Sequence, residues 1–467
     1  MHITFHGATR TVTGSKHLIK LKNGKQILLD CGLFQGLGKM TETFNQQLGF
    51  EASQVTHMLL SHAHVDHTGL IPKLVKEGFA GKIFCTKGTK DLAEILLEDS
   101  GKIQTDDVIF LNKKRAKQHL PPVQPLYDLN DVANAIPHLT AVAYNAWTKI
   151  DDDIEIMFAD AGHIIGSASV HLRITEDGKT QQISFSGDVG RYRDIILKSP
   201  ATFPQADFVI IESTYGNSLH DEVFNTPQQL SNIIKKTCLE KKGKLIIPAF
   251  SVGRTQELLY FLNGLYNDGL LPKVPVYVDS PLSYEATQVV KNHPEDFNNR
   301  IKKLLKTDSD PFDFSGLKFI ANVEESKSLN NDYRPMIIIS ASGMADAGRV
   351  QHHILNNIGN KRNTILIVGY CEPNTLGGQL KDGAKEVNIF GDEYKVTAEI
   401  ETLRSMSAHG DYNDLCQFLA CQNPAEVKTL FVVHGEYEVQ QDFARKLQKK
   451  GFQDVQIPKF HETFDLY

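Results

Sequence analysis

A short run of metal-ligating side chains is the strongest chemical signal in this sequence. The segment SHAHVDHTG follows the apolar run THMLL and contains His62, His64, Asp66 and His67. An extended HxH directs both imidazoles to one side of the chain, and a turn after it directs the next two side chains to a second point nearby. Imidazole with carboxylate suits zinc, and suits manganese or iron less well. The motif holds too many ligands for one open catalytic site, so it predicts two metal ions about 3.5–4 Å apart. The alternative is a set of surface histidines in a polar loop.

Further candidate ligands follow other strand-like segments. DAGHIIGSAS places His163 in a glycine-rich turn, SFSGDVG places Asp188 after an apolar run, and FVVHGE does the same for His434. A lone histidine is more often a hydrogen-bonded structural residue than a ligand. These three are stronger candidates because each of them follows a strand-like segment. In α/β folds, ligands bind at the carboxyl ends of strands.

The elements that must position these residues alternate along the chain, and this alternation predicts α/β layers. Strand-like runs cover residues 25–31, 56–61, 82–86, 182–188, 207–213, 244–250, 275–280, 335–341, 363–370 and 429–435. Helix-like runs cover residues 69–78, 90–99, 226–243, 253–269 and 437–451. Residues 226–370 read as a self-contained series without a comparable His/Asp cluster, which indicates an inserted domain.

Other stretches carry weaker signals. The least regular is 292–334, rich in Asn, Asp, Lys and Ser. The basic run KKRAK at 113–117 is typical of a solvated helix face, with nucleic-acid binding as the alternative.

Composition limits the class of protein. The 467 residues suffice for two to three domains. A net charge of −6 argues against a surface coated in basic residues, although it leaves room for a local basic groove. The six cysteines form no CxxC pair, and neither a secretory signal nor a membrane-length apolar run is present, so we expect a soluble cytoplasmic protein.

Taken in order, the motifs resemble the metallo-β-lactamase superfamily. The resemblance rests on Asp30 in LLLDCG, the HxHxDH at 62–67, His163, Asp188 and a late histidine. A narrower similarity to the β-CASP branch, which includes RNase J and the endonuclease of messenger-RNA 3′-end processing, rests on ESTYG (212–216), IPAFSVGRTQELL (247–259), VYVDSPL (276–282), ISASGM (339–344), SAHGD (407–411) and VHGE (433–436). It implies an αββα sandwich (1–217 and 401–467) with an inserted α/β β-CASP domain (218–400).

The resemblance also implies which residues hold which metal. One zinc would be held by His62, His64, His163 and Asp188, and the other by Asp66, His67, Asp188 and His434. Asp188 would bridge the two ions, and Asp30 would support the ligands from behind. Two zinc ions per chain are therefore expected, with manganese as an alternative.

The catalytic and substrate-binding residues come from the same resemblance. Asp66 would act within the metal site, and His409 would be the general acid, with Glu212 holding its imidazole. Without the resemblance, Glu212 is read as an exposed strand-end carboxylate and His409 as a neighbour of a helix N-cap. Phosphates would meet Ser407 and the turn at Ser342 and Gly343, while Arg254 either contacts phosphate or caps a surface.

Three functions fit these residues. The first is a zinc-dependent ribonuclease, chiefly endonucleolytic, in which two dications lower the pKa of a bridging water towards about 7 and the resulting hydroxide attacks the phosphodiester. The second is a hydrolase of the same fold acting on an ester, thioester or lactam, and the third is a non-catalytic RNA-binding subunit. We expect RNA, single-stranded in one interpretation, as the partner and no membrane. DNA as substrate, exonuclease mode and a homodimer stay open.

Overall fold

The chain forms two compact units in a computed structural model that describes residues 1–221, 223–403 and 405–467, leaving aside the side chain of Lys39. The first unit comprises Met1–Arg193, Lys198–Leu219 and His409–Tyr467. The second comprises Asp194–Leu197 and His220–Ala408, so a long segment of the chain interrupts the first unit. The domain boundaries drawn from the sequence, at 217 and 400, stay a prediction.

The strands are numbered in chain order. Those up to residue 211 are β1 (His2–Phe5), β2 (His17–Lys20), β3 (Gln26–Leu29), β4 (His57–Leu59), β5 (Lys82–Thr86), β6 (Leu139–Val142), β7 (Thr148–Asp151), β8 (Ile154–Asp160), β9 (Ala168–Glu176), β10 (Lys179–Phe185) and β11 (Phe208–Ile211). Those after it are β12 (Lys244–Pro248), β13 (Val276–Val278), β14 (Leu317–Phe319), β15 (Met336–Ser340), β16 (Thr364–Val368), β17 (Glu386–Ile389), β18 (Asp392–Lys395), β19 (Glu399–Leu403), β20 (Thr429–Val432), β21 (Val455–Gln456) and β22 (Glu462–Asp465).

The helices are numbered in the same way. They are α1 (Lys39–Gln46), α2 (Val65–Thr68), α3 (Ile71–Lys76), α4 (Lys87–Lys117), α5 (Leu129–Ala135), α6 (Thr226–Ile234), α7 (Arg254–Asn267), α8 (Pro281–Lys291), α9 (Asn299–Leu304), α10 (Val323–Asn331), α11 (Arg349–Asn357), α12 (Leu376–Lys381), α13 (Tyr412–Leu419) and α14 (Tyr437–Lys449). A π-helical segment, Lys235–Glu240, continues α6.

The first unit is a sandwich of two seven-stranded sheets. Their strand orders are β22-β1-β2-β3-β4-β5-β6 and β21-β20-β11-β10-β9-β8-β7. Apolar side chains from both sheets form one core between them, to which Ile27 and Leu29 of β3 contribute. Leu28 points to the opposite face and is also fully buried, because helices cover that face. Phe418 of α13 and Phe443 of α14 cover the outer face of the second sheet, so the predicted αββα layering is confirmed.

The second unit is an α/β domain around a six-stranded sheet, of order β14-β13-β15-β12-β16-β19. Every strand pair in this sheet is parallel, and β15 is buried along its whole length. Both observations are typical of a sheet with helices on its faces. Val350 of α11 and Leu380 of α12 belong to the core on one of these faces. The predicted insert of α/β class is therefore present.

Two sequence expectations about local structure need correction. The stretch 292–334 is more regular than predicted, since it contains α9, β14 and α10. Its asparagines are part of the reason: Asn298 accepts hydrogen bonds from Arg300 N and Ile301 N, and Asn322 accepts one from Glu325 N, as helix N-caps do. The helix expected at 90–99 extends over 31 residues to Lys117.

The basic run at 113–117 lies at the C-terminal end of α4 and is mostly exposed, so its predicted position on an exposed helix is confirmed. Among the residues that the structure describes, no helix combines the length and the apolar character needed to cross a membrane.

Candidate metal centre

The candidate ligands lie at the carboxyl ends of strands, as the sequence predicts. In the first sheet β3 and β4 are parallel neighbours, followed by Asp30 and by the 61–67 segment. In the second sheet β10, β11 and β20 are parallel neighbours, and the residues that follow them are Asp188, Glu212 and His434. Parallel strands end at the same edge of a sheet, so residues far apart in sequence meet there.

The first group of ligand atoms has the spacing of a single metal site. His62 Nε2 and His163 Nε2 each lie 3.1 Å from His64 Nδ1. Both Nε2 atoms lie 3.4 Å from Asp188 Oδ2. Tetrahedral ligands at zinc distances of about 2.0–2.1 Å are separated from one another by about 3.3 Å. The four side chains therefore fit one ion of this kind.

The second group uses the other oxygen of the same carboxylate. His67 Nε2 and His434 Nε2 are 3.2 Å apart, and Asp66 Oδ2 lies 3.5 Å from His434 Nε2. Asp188 Oδ1 lies 3.3 Å from His67 Nε2 and 3.5 Å from His434 Nε2. Asp188 thus turns one oxygen towards each group, which is the geometry of a bridging ligand.

The electrostatics of the cluster also fit metal ions. Asp188 Oδ1 is buried and accepts no hydrogen bond from the described part of the chain, which is costly for a carboxylate unless a cation lies beside it. Burial outweighs the nearby carboxylates and lowers the pKa of His64 to about 4. Burial and the neighbouring His67 hold the pKa of His62 well below its usual value. Both imidazoles are therefore neutral at pH 7, the form that binds zinc.

Side chains behind the ligands fix their orientation. Asp30 Oδ2 lies 2.6 Å from His67 Nδ1, which leaves Nε2 of that ring to face the second group. Asp30 in turn accepts hydrogen bonds of 2.8 Å from the amide and the hydroxyl of Ser61. Thr214 Oγ1 lies 3.1 Å from His434 Nδ1. Such outer partners set the tautomer and direction of ligating histidines.

Glycine permits the close approach that brings Asp30 to the 61–67 segment. A Cβ on Gly32 would lie 1.6 Å from the carbonyl oxygen of Asp66, so no other residue fits without moving the backbone. The amide of Gly32 donates to Ser15 O, and the amide of Cys31 donates to His67 O. The close approach and these hydrogen bonds therefore hold the loop after β3 against the HxHxDH turn.

A carboxylate–histidine pair lies beside the first group. Glu212 is fully buried, which excludes the alternative of an exposed strand-end carboxylate, and its Oε1 lies 3.0 Å from His409 Nδ1. The amides of Val189 and Thr214 donate to its two oxygens. Burial disfavours the charged imidazole, but Glu212 and Asp188 outweigh burial and raise the pKa of His409 to about 9. His409 Nδ1 is 3.9 Å from Asp188 Oδ2.

Three family models match consecutive parts of this chain. The model of the metallo-beta-lactamase superfamily matches residues 14–223, that of the Beta-Casp domain matches residues 255–380, and that of the Zn-dependent metallo-hydrolase RNA specificity domain matches residues 393–458. Ribonuclease TTHA0252 of Thermus thermophilus is 33% identical over 463 residues, which are 99% of each chain. The chain belongs to the β-CASP branch of the metallo-β-lactamase superfamily. It is accordingly a metal-dependent hydrolase.

Two further β-CASP relatives differ in length. The RNase J-like protein of Methanocaldococcus jannaschii is 31% identical, with 98% of this chain and 97% of the relative covered. The transcription termination factor FttA of Methanosarcina mazei is 32% identical, but the match covers 96% of this chain and 69% of that protein.

The predicted phosphate contacts of this β-CASP protein all belong to the second unit. Arg254 opens α7 with only 4% of its side chain exposed and forms an ion pair with Glu257, which argues against a surface cap. Ser342 Oγ lies 3.4 Å from both the amide and the carbonyl of Ala347, and Gly343 packs on the Phe250 ring. Ser407 is buried, and its hydroxyl has no hydrogen-bond partner among the described residues.

Two residues that position this β-CASP site escaped the sequence-based reasoning, namely Ser61 and Thr214. Serine and threonine are too common in loops to signal a role. Their place in the motifs carried the only available signal, since Ser61 directly precedes His62 and Thr214 stands two residues after Glu212.

Proposed function

We propose that this hydrolase cleaves RNA phosphodiester bonds with two zinc ions, chiefly at internal positions, and leaves a 5′-phosphate. One observation carries the proposal: the carboxylate-held His409 stands beside Asp188, the carboxylate that both ligand groups share. A proton donor next to a two-metal cluster suits the hydrolysis of an anionic ester with a poor leaving group. The similarity to ribonuclease TTHA0252 and the match to the RNA specificity domain support RNA as the substrate.

The residues that would hold the metals are the two groups described above. Asp188 belongs to the first group, and its Oδ1 atom faces the second. When bound, the two dications would offset phosphate charge and lower the pKa of a bound water towards about 7. Zinc is the ion proposed because imidazoles dominate the ligand set, and manganese is the alternative. Burial opposes the charge of Asp66, but His67 and His434 hold its pKa at about 2, so it meets a cation as a carboxylate.

His409 is proposed as the general acid. With Nδ1 donating to Glu212, the proton on Nε2 of the imidazolium is the one available for transfer to the leaving 3′-oxygen. Glu212 cannot turn away, because two backbone amides hold its carboxylate. Its role is to fix the ring and to stabilise the charged form.

The proposal also covers the contacts with the substrate and the cellular compartment. Ser407, Ser342, Gly343 and Arg254 stay proposed contacts of the RNA backbone. We place the activity in a reducing compartment, the cytoplasm, because all six cysteines are free thiols.

The test is incubation of the full chain with 5′-labelled single-stranded RNA and with DNA of matched sequence. We expect internal cuts in RNA, 5′-phosphate on the downstream product, complete loss in chelator and recovery on adding Zn²⁺. Activity on a chromogenic lactam with none on RNA would overturn the proposal. DNA cut as fast as RNA would overturn RNA as the specific substrate.

A His409→Ala variant tests the role of the general acid separately from metal binding. Cleavage is expected to fall by about 10²–10⁴-fold, while metal analysis still finds two ions per chain. A variant as fast as the wild type would show that another group protonates the leaving oxygen. A variant that loses its metals would show that His409 is a ligand.

A further inference from the structure

The second half of α4 presents one continuous face to solvent. At about 100° per residue, seven side chains lie within about 60° of Phe110 around the helix. All seven are exposed: Ile103, Asp106, Asp107, Phe110, Lys113, Lys114 and Lys117. The opposite side of the helix is occupied by the chain itself, since Asn112 bonds the backbone of Val123 and Arg115 donates to the carbonyl of Pro121. The seven residues are called the α4 face below.

The α4 face exposes more apolar surface than a solvated helix needs. Phe110, at the centre of the face, is 60% exposed. Ile103, about two helical turns earlier on the same face, is 39% exposed. Ile109 and Leu111 lie at the two edges of the α4 face, outside its seven residues, and are 49% and 42% exposed. Large apolar side chains grouped in this way, rather than scattered singly, mark interaction surfaces.

The charges on the α4 face are divided by sign around the same centre. Asp106 and Asp107 precede Phe110, and Lys113 and Lys114 follow it. Within the described part of the chain, none of these four groups takes part in an ion pair. Lys114 Nζ instead lies 4.6 Å from the centre of the Phe110 ring. The surface thus carries two opposite charge clusters, neither of which the chain neutralises itself.

The spacing of these charges is symmetric. Asp106 and Lys114 each stand four residues from Phe110, Asp107 and Lys113 each stand three, and Ile103 and Lys117 each stand seven. A surface with this property is complementary to its own copy turned by 180°, which is the requirement for a two-fold interface.

We propose that the α4 face binds the same face of a second copy of this chain, with the two helices antiparallel. Phe110 would then meet Phe110 of the other copy at the symmetry axis. Each aspartate pair would meet the lysine pair of the other copy, and the stem of Lys117 would cover Ile103. A parallel arrangement would place aspartate against aspartate and lysine against lysine, so charge selects the antiparallel one. The proposal does not depend on the proposed function.

The contact is small, and this sets the expected affinity. The helix from residue 103 to 117 is about 21 Å long, so the interface belongs to the smallest class. We expect a dissociation constant on the order of micromolar and a marked weakening at high salt, because exposed ion pairs are screened.

The test is sedimentation analysis of the full chain without RNA, over about 1–100 µM and at two salt concentrations. The wild type is expected to shift from monomer to dimer with concentration. Two charge-reversal variants, D106K/D107K and K113D/K114D, are each expected to raise the dissociation constant at least tenfold, because like charges then meet across the axis. An equimolar mixture of the two variants restores opposite charges and is expected to dimerise within about threefold of the wild type.

A matched control reverses two lysines elsewhere. K449D/K450D, at the last residue of α14 and the residue after it, changes the net charge by the same amount as K113D/K114D, and both lysines are exposed. It is expected to dimerise like the wild type. Circular dichroism of all variants establishes that each is folded. A wild type that stays monomeric throughout, variants that still dimerise, or a mixture that stays monomeric would each overturn the proposal.

Discussion

Two buried aspartates, one in each unit, have similar surroundings and opposite electrostatics. Asp188 in the first unit and Asp279 in the second are both enclosed, and each has histidine nitrogen within reach. Asp279 is fully satisfied: Arg349 Nη1 donates to one oxygen at 2.6 Å, His353 Nε2 lies 2.6 Å from the other, and Ser326 donates as well. Asp188 Oδ1 has no hydrogen-bond donor among the described residues, and its nearest imidazole nitrogens are 3.3–3.5 Å away.

The difference between the two aspartates distinguishes a metal-binding cluster from a structural hydrogen-bond network. Burial and histidine are common to both places, so neither is diagnostic. The network around Asp279 supplies its own positive charge through Arg349, and nothing is missing from it. In the cluster around Asp188 burial keeps His62 and His64 neutral, and among the described residues no arginine or lysine forms an ion pair with Asp188. Cations from outside the chain would therefore complete its charge balance.

The largest expected effect comes from removing the shared ligand. Asp188→Ala should lower RNA cleavage by about 10⁴-fold, because both proposed metals lose a ligand at once. Metal analysis should find fewer than two ions per chain. If the variant kept both metals, Asp188 would not be a metal ligand, and its proposed difference from Asp279 would be contradicted.

The matched change in the second unit should act on stability alone. Asp279→Ala should lower the free energy of unfolding by about 3–5 kcal/mol, because the buried His353 and the partly exposed Arg349 lose their carboxylate partner. Urea denaturation with and without chelator measures it, and chelator should not alter the loss. Asp279→Asn keeps one acceptor and should cost less. A metal content that changes with either variant would contradict the structural role.

A smaller effect is expected from the carboxylate behind the acid. Glu212→Gln should lower cleavage by about 10²-fold with both metals still bound. Glu212 raises the pKa of His409, and the imidazolium is the active form, so activity is lost as pH rises through that pKa. Removing the charge lowers the pKa, and the alkaline limb of the pH–rate profile should move to lower pH. An unmoved limb would mean that Glu212 does not act through His409.

The smallest effect should come from the residue behind His67. Asp30→Asn should weaken metal binding about 10–100-fold, because the imidazole is less firmly oriented. Competition with a chelator of known affinity measures it, and saturating Zn²⁺ should restore most of the cleavage. Activity that stays low at saturating metal would place Asp30 in the chemistry instead.

Secondary structure could be predicted from the sequence where apolar residues form a regular pattern. The strand predicted at 275–280 is confirmed by β13, which lies within that range. Apolar β-branched runs located β11, β12, β15 and β16 within a few residues. Strand β9 was missed because polar residues interrupt its apolar positions, and the second half of α4 was missed because its exposed face lacks helical apolar periodicity.

The site was predictable only in part from local pattern. The HxHxDH motif carries its own evidence, because four ligands stand within six residues. His163, Asp188 and His434 meet this turn through strand order in two sheets, which residue spacing does not encode. Their positions after strand-like segments made these residues candidates, and the resemblance assigned each of them to a metal. Neither pattern nor resemblance supplied the hydroxyls of Ser61 and Thr214.

The placement of the second unit within the chain has a consequence for synthesis. The ribosome makes His62, His64, Asp66 and His67 early, and it must then translate the whole second unit before His409 and His434 exist. A nascent chain therefore lacks both the proposed proton donor and part of the second ligand group. The proposed activity therefore cannot arise until the segment that follows the second unit has been made.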